Sequence, residues 1–539
     1  MENRQECEMK KRIVIFSVVL VTIFVSLLLI INLSVSRNYQ RYSIIDPKVT
    51  SSQSVDMSSL KSIVDSLITS QMSDEQKAIA IWRFVMDHTY PSVYPTENTK
   101  GSWYTMSADP IKALNIYPWG ECGWHTIMLQ ELFSAADMPA RGRSVGPKPY
   151  PLSHWVAEVY YDGAWHMFDA MVGVYYYKKD GRTIASVDDL IGDPSLILRP
   201  IRKSSPYLRP SYSVQQVARV YGVASEPARK AFKHKGGYHS MNITLRPGER
   251  YIRRWKKEGE KGYWYWPKGV SEEYRARMRQ RFGFFPQKGP TSFRGTGIGF
   301  SEVPGSFANG RLIYEPNMDD DSYLDGVYEK TNVKFFSEDH LSPSIHLDDV
   351  RKPGHITFRV EWPYVIVAGR MRWQFFRKDV ETRVRASISV DHGKTWQEVW
   401  TNDKIGENMH DLLITPYIYG TYSYLVKFDF SSENKKTDVG MDSLKIITVF
   451  QLAPTSLPKL GRGENEITVT LANPEVLRKS RFVVTYEWEE KDKSTGKMVN
   501  HRDERIITKS PTKYKIICQE DEDPVNRYVE MSVLGKEVM

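Results

Sequence analysis

Cysteine is scarce in this chain: Cys7, Cys122 and Cys518 are the only three in 539 residues. They are too few and too scattered for a disulfide framework, and no Cys or His pair has zinc-ligand spacing. No cofactor and no metal are therefore expected, and no residue is assigned to hold either. Internal repeats are lacking, which excludes a solenoid or propeller array. Blocks of one charge sign are lacking as well. Lys and Arg number 74 against 65 Asp and Glu, a net charge of +9, but the signs are interleaved. Such a pattern reads as a solvated surface or a face for an anionic glycan, and nucleic acid is not expected as a partner.

Long apolar runs are absent except for one. Ile13 to Leu33 is almost unbroken and uncharged, which is long enough to cross a bilayer as a helix. Lys10, Lys11 and Arg12 precede it, favouring an inside N-terminus and an extracytoplasmic remainder. The expectation is a single-pass membrane protein with a cytoplasmic stretch over 1–12 and an anchor over 13–35. Signal cleavage and secretion are the alternative, although no A-x-A site follows the run.

What is present is globular in character, with 41% hydrophobic, 26% charged and 12% aromatic residues. The length calls for several units. A polar spacer is expected over 36–60, a separate folded unit over 61–200 and a mixed region with a β unit over 201–340. A β-sandwich is expected over 341–455 and a C-terminal β domain over 456–539.

Ser73-Asp74-Glu75-Gln76 fits a capping box, and Ala78, Ile79, Ile81, Trp82 and Val85 come after it at helical spacing. A second helical pattern starts near Cys122 and runs toward Met138, where Pro139 ends it. From Ser153 the texture becomes β. His154 to Tyr161 and Ala164 to Ala170 are aromatic-rich runs separated by Asp162-Gly163, a two-residue hairpin signal.

Pro118 and Gly120 break the chain just before the second helix, so Cys122 is expected in its first turn. There the helix dipole and free backbone N–H groups favour a thiolate and can supply half of an oxyanion hole. With a tight turn at Asp162-Gly163, Val156 lies opposite Asp169. His154, two residues earlier, then shares a face with Asp169 on the diagonal, within reach of an imidazole and a carboxylate. Asp169 would fix the tautomer of His154 and leave the other ring nitrogen for the thiol proton. His166 has the opposite parity and is expected to face away. A small buried Cys122 and a metal site of Cys122, His125 and His154 are the other readings.

Glu121-Cys122 opening a helix, and His154-Trp-Val-Ala-Glu-Val-Tyr-Tyr-Asp-Gly-Ala-Trp-His-Met-Phe-Asp169, resemble the transglutaminase-like superfamily. Met138-Pro139-Ala140-Arg141 is similar to the turn that closes the cysteine helix in that family, and Glu158 and Trp165 match its context. The resemblance covers roughly residues 60 to 200. It departs in one place, since Trp155 follows His154 directly where many members carry Trp two residues on.

The resemblance implies catalytic residues Cys122, His154 and Asp169, in a papain-like core that hydrolyses or transfers an acyl group. The substrate would be a peptide, protein or glycopeptide. The expected fold class is α+β transglutaminase-like (papain-like), followed by mostly β, sandwich-like domains. Two alternatives stand beside it. One is a non-catalytic surface scaffold whose β domains bind glycan or a protein partner, and the other is a carbohydrate-active enzyme on the same core.

Other motifs are read as structural. Ser389-Val-Asp391-His-Gly393-Lys-Thr395-Trp396 matches an Asp-box hairpin. Asp319-Asp320-Asp321 with Asp325 does not have the spacing of an EF-hand loop and reads as a solvated acidic loop. Tyr263 to Trp266 reads as core or interface packing, with sugar stacking as the alternative.

Overall fold

The computed structural model describes residues 41–91, 109–120, 122–146, 154–200, 214–221, 237–259, 263, 265, 307–402 and 404–536. Two bodies of secondary structure are joined along a shared core. The first is a small antiparallel sheet of Ala140–Val145, His154–Tyr161 and Ala164–Phe168, covered by helices on both faces. Leu60–Leu67, Asp74–His88 and Cys122–Ala135 pack on one face through Ile63, Trp82, Phe133 and Phe168. Val187–Gly192, Ser195–Leu198 and Val214–Tyr221 pack on the other through Val156, Met167, Leu190 and Val217. Alternation along the strand decides which side chain meets which layer: Ala157 and Val159 belong to the first core, Val156 to the second.

The second body is β throughout. A ten-stranded sheet takes strands from Glu249–Arg254, Ala308–Tyr314 and Ile366–Arg377 as well as Val439–Leu452, Ser480–Lys491 and Val525–Lys536. A five-stranded sheet built around Gly354–Glu361 and Ser423–Ser431 faces one part of it. Trp373 of the large sheet meets Trp400 and Phe428 of the smaller one at 5.0 and 5.7 Å. A three-stranded sheet of Lys48–Ser51, Glu464–Thr470 and Thr512–Ile517 belongs to the same core near the other end.

This architecture corrects the expected fold class. The described residues are not α+β papain-like: they are mostly β, with 42% strand against 21% helix. Among the described residues, the α-helices longer than four residues all lie between residues 60 and 221. Beyond them, alternating burial marks described strands such as Ser423–Ser431 and Glu464–Thr470. The expected spacer is also partly strand. Ile44–Ile45 pairs with Thr244–Leu245, and Lys48–Ser51 pairs with the strand Glu464–Thr470.

The membrane expectation is corrected as well. Among the described residues no helix is long and apolar enough to cross a membrane. The run from Ile13 to Leu33 lies outside the described residues, and no described helix supports single-pass anchoring or the extracytoplasmic placement built on it. Hydropathy and the flanking Lys10, Lys11 and Arg12 are the basis of that reading. The first described residues are instead fastened to the β body, where Asp325 accepts from the backbone N–H groups of Arg41 and Tyr42 and from the Ser43 hydroxyl.

Candidate active site

The lead-in to the cysteine helix is fixed by sequence and by pairing. Asp109 caps Pro110–Ile116 by accepting from the N–H groups of Ile111 and Lys112. The chain then turns through Tyr117 and Pro118, and Trp119–Gly120 runs parallel to Tyr90–Pro91. Gly120 has no side chain for a spatial reason. A Cβ there would stand 2.5 Å from the indole of Trp124, which is itself buried. With the turn so placed, Cys122 opens the helix Cys122–Ala135, partly exposed, and it packs against the core of the β body.

The hairpin supplies the partners. Asp162 and Gly163 both take positive φ, 48° and 77°, the geometry of a tight two-residue turn. The register is Ala157↔Phe168 and Glu158↔Met167, so His154 and Asp169 share a face, as a two-residue turn requires. His154 Nε2–H donates to Asp169 Oδ2 at 2.5 Å, with the two side chains 12% and 2% exposed. Cys122 lies near enough to His154 to raise its pKa. With Nε2 committed to Asp169, Nδ1 is the nitrogen left for the thiol.

Electrostatics support a charged imidazole. Burial opposes the charge on His154, but the Asp169 carboxylate and its hydrogen bond, together with Cys122, outweigh it and raise the pKa to about 10. Burial likewise opposes the Asp169 carboxylate. The charge and bond of His154, with donors from Tyr221 and Val172, hold its pKa below the ordinary range.

Several further bonds hold Asp169 in place. Its Oδ1 accepts from the N–H of Val172 at 2.9 Å. Its carbonyl accepts from the Trp82 indole at 2.9 Å and from the N–H groups of Gly173 and Val174. Behind the same sheet, Glu158 is fully buried and accepts from Arg141 Nε at 2.7 Å and the N–H of Val187 at 2.8 Å. Arg141 in turn stacks 4.0 Å over Trp165. Glu158 and Trp165, singled out in sequence as context, and Arg141 of the turn that closes the cysteine helix form one contact network.

The remaining candidates lie elsewhere. His166 faces away, its nitrogens directed at the carbonyls of Ile184 and Tyr161. Among the described residues no group of His, Cys, Asp and Glu is placed to hold a metal ion. Asp320 caps a short 3-10 turn, Asp325 binds residues 41–43, and Asp319 accepts from Ser344, which disperses the acidic cluster. In the Asp-box hairpin, Asp391 accepts from Thr395 N and Oγ1 at 2.9 and 2.6 Å, closing its own turn. Tyr265 is buried against Tyr117 and Tyr419, while Trp264 and Trp266 lie outside the described residues.

Sequence reasoning missed Tyr221, whose hydroxyl donates to Asp169 Oδ2. No motif marks it. It arrives on a helix some fifty positions after Asp169, and only an amphipathic pattern around Val214 to Tyr221 hints that the segment packs at all.

No protein-family model matches the chain, and no curated protein matches it in sequence. Solved structures give faint likenesses. One is the structure of TmCBM61, a carbohydrate-binding module in complex with beta-1,4-galactotriose. It is 9% identical over 29% of this chain and 74% of that one, with a TM-score of 0.12. Another is beta-glucuronidase 2 of Bacteroides uniformis, covalently bound to cyclophellitol-6-carboxylate aziridine. It is 10% identical over 34% of this chain and 25% of that one, with a TM-score of 0.13. A third is the beta-glucuronidase of Ruminococcus gnavus in complex with N1-substituted uronic isofagomine. It is 8% identical over 42% of this chain and 45% of that one, with a TM-score of 0.16. The chain thus spans less than half the length of either glucuronidase. Likenesses of this size carry no argument about fold or activity.

Proposed function

We propose that this protein is a cysteine-dependent acyl-transfer enzyme that hydrolyses, or transfers, the acyl group of an amide. The observation that carries the reading is the His154 imidazole, joined to Asp169 through Nε2 and electrostatically coupled to Cys122 at a helix start. In the reaction the Cys122 sulfur attacks the substrate carbonyl carbon. His154 then protonates the leaving amine as the C–N bond breaks, leaving a thioester. Water, giving its proton to His154, cleaves the thioester and restores the thiol; an amine in its place gives transfer. Asp169 keeps the imidazole oriented and stabilises its charge. The resemblance drawn on the Cys122 and His154–Asp169 motifs points to the same chemistry.

The test is alkylation of the full chain by iodoacetamide across pH, with Cys122 followed by peptide mapping. Wild-type Cys122 is expected to react at about pH 6, where a free thiol is almost wholly protonated. The His154→Ala variant should lose at least about tenfold in rate there, and an activated ester should leave an acyl adduct on Cys122. Reaction of Cys122 only after unfolding would overturn the reading.

A second reading, glycan binding by the β body, is favoured by an open groove of about 890 Å³. Trp362, Tyr422 and the exposed Tyr328 line it, together with Arg359 and Glu361. Aromatic faces with fixed polar groups suit sugar rings. Saturable binding of a neutral oligosaccharide, lost in Tyr328→Ala and kept in Cys122→Ala, would establish it; no binding across an oligosaccharide panel would remove it.

A further inference from the structure

We propose that Tyr221 is a positioning residue of the thiol site: its hydroxyl holds the Asp169 carboxylate in line with His154, and its ring closes one side of the imidazole. The proposal rests on reading Cys122 as the nucleophile.

Tyr221 ends the helix Val214–Tyr221 and is fully buried. Its O–H donates to Asp169 Oδ2, the same oxygen that accepts from His154 Nε2. Oδ1 is already engaged by the N–H of Val172. Three donors on one carboxylate leave it no rotation that does not break a hydrogen bond. The ring of Tyr221 stands edge-on to the imidazole, with centroids 6.0 Å apart and planes at 88°. An imidazole so walled cannot swing toward the second core without displacing the phenol.

Packing alone does not call for the hydroxyl. Tyr221 lies in an apolar cluster with Val156, Met167, Val172 and Val217, where a phenylalanine would fill nearly the same volume. A phenol buried in such surroundings costs free energy unless it is bonded, and its bond goes to the one carboxylate that orients His154. The benefit is chemical. During the reaction the imidazole gives up and regains a proton, so its partner must remain ionised and stationary. A donor on Asp169 favours its anionic form and keeps the shared proton on His154. Among the described residues, the titratable groups facing the pair include Tyr221 itself, Cys122 and Tyr176, the last with its phenol pKa raised by burial and by the Asp169 charge.

The position of Tyr221 in the chain gives this tie a structural consequence. The helix Val214–Tyr221 packs on Ser195–Leu198 and Val187–Gly192, and the Val187 N–H is bonded to Glu158. The second helical layer and the histidine strand therefore converge on the Asp169 carboxylate. Sequence separation hides this arrangement.

The experiment compares the full chain as wild type, Tyr221→Phe and Tyr221→Leu, recording the pH profile of Cys122 alkylation alongside the thermal midpoint. Cys518 serves as an internal control, because burial and Glu490 push its thiol up to about 12. The proposal expects Tyr221→Phe to melt close to wild type. Its Cys122 rate at neutral pH should fall about tenfold, the size of one hydrogen bond to a charged group, with the profile's midpoint moved toward that of an unassisted thiol. Tyr221→Leu should show the same displacement and also melt lower. A Tyr221→Phe profile that superimposes on a reactive wild type would overturn this proposal alone. An unreactive wild-type Cys122 would overturn the site reading and this proposal with it.

Discussion

Asp169 and His154 are both held in their charged forms against the cost of burial, and the two shifts have opposite consequences for stability. The pKa of His154 is raised from an ordinary 6.5 to about 10, so its contribution is complete below about pH 6.5 and is lost as pH rises through about 10. The pKa of Asp169 is lowered from an ordinary 3.8, so its contribution is present above that value and fades as pH falls below it. The pair should therefore support the fold most fully between about pH 4 and 6.5. Urea midpoints measured at about pH 6 and about pH 10 should show wild type losing more than His154→Gln over that interval. At Gly120 the expected effect is steric. Gly120→Ala places a methyl 2.5 Å from the Trp124 ring, and a cost of about 1–3 kcal/mol is expected from such overpacking. Thermal melting would register it, and Cys122 alkylation should slow because the lead-in turn must shift.

At the scale of elements, the hairpin does most to assemble the site. Strand alternation puts His154 and Asp169 on one face only while the turn holds two residues. Inserting one glycine between Asp162 and Gly163 should lengthen the loop and break the diagonal. Cys122 should then lose its reactivity at about pH 6 while Cys518 stays as inert as before. The helix Asp74–His88 tests a more local interaction. Ser73 accepts from Gln76 N–H, and Gln76 Oε1 accepts from Ser73 N–H. Ser73→Ala should cost about 1 kcal/mol in stability without changing thiol chemistry, since Trp82, on the far turns, is what touches Asp169.

Across the whole molecule, the site-bearing body and the β body share contacts from several parts of the chain. Gln451, fully buried in the large sheet, donates to the Ile116 carbonyl at 2.9 Å and accepts from the Tyr265 N–H at 2.9 Å. Ala453 N–H donates to the Asn115 carbonyl. These bonds grip the helix that leads into Cys122. Gln451→Leu would leave both buried partners unsatisfied, and about 1–3 kcal/mol of destabilisation is expected for each orphaned group. Calorimetry should record the loss as a lower midpoint of a single transition. Separate transitions for the two bodies would show that the contacts do not couple them.

The sequence by itself determined the local facts: a helix opened by Ser73, a helix starting at Cys122 and a tight turn at Asp162-Gly163. These arise from capping, chain breakers and positive φ, which act over a few residues. The two-residue turn also fixed the parity that puts His154 beside Asp169 and sends His166 away, because strand periodicity carries a local turn outward along both strands. Three things were decided only by tertiary structure. The β character of the whole depends on strands as distant as Glu249–Arg254 and Val525–Lys536 finding each other, and no local pattern encodes that pairing. The apolar run at Ile13 to Leu33 is legible only as hydropathy, whereas the described start of the chain is held by Asp325, far along the sequence. Tyr221 reaches Asp169 because two helical layers pack against one sheet, and such packing is set by the shape of a core that exists only once the chain has folded.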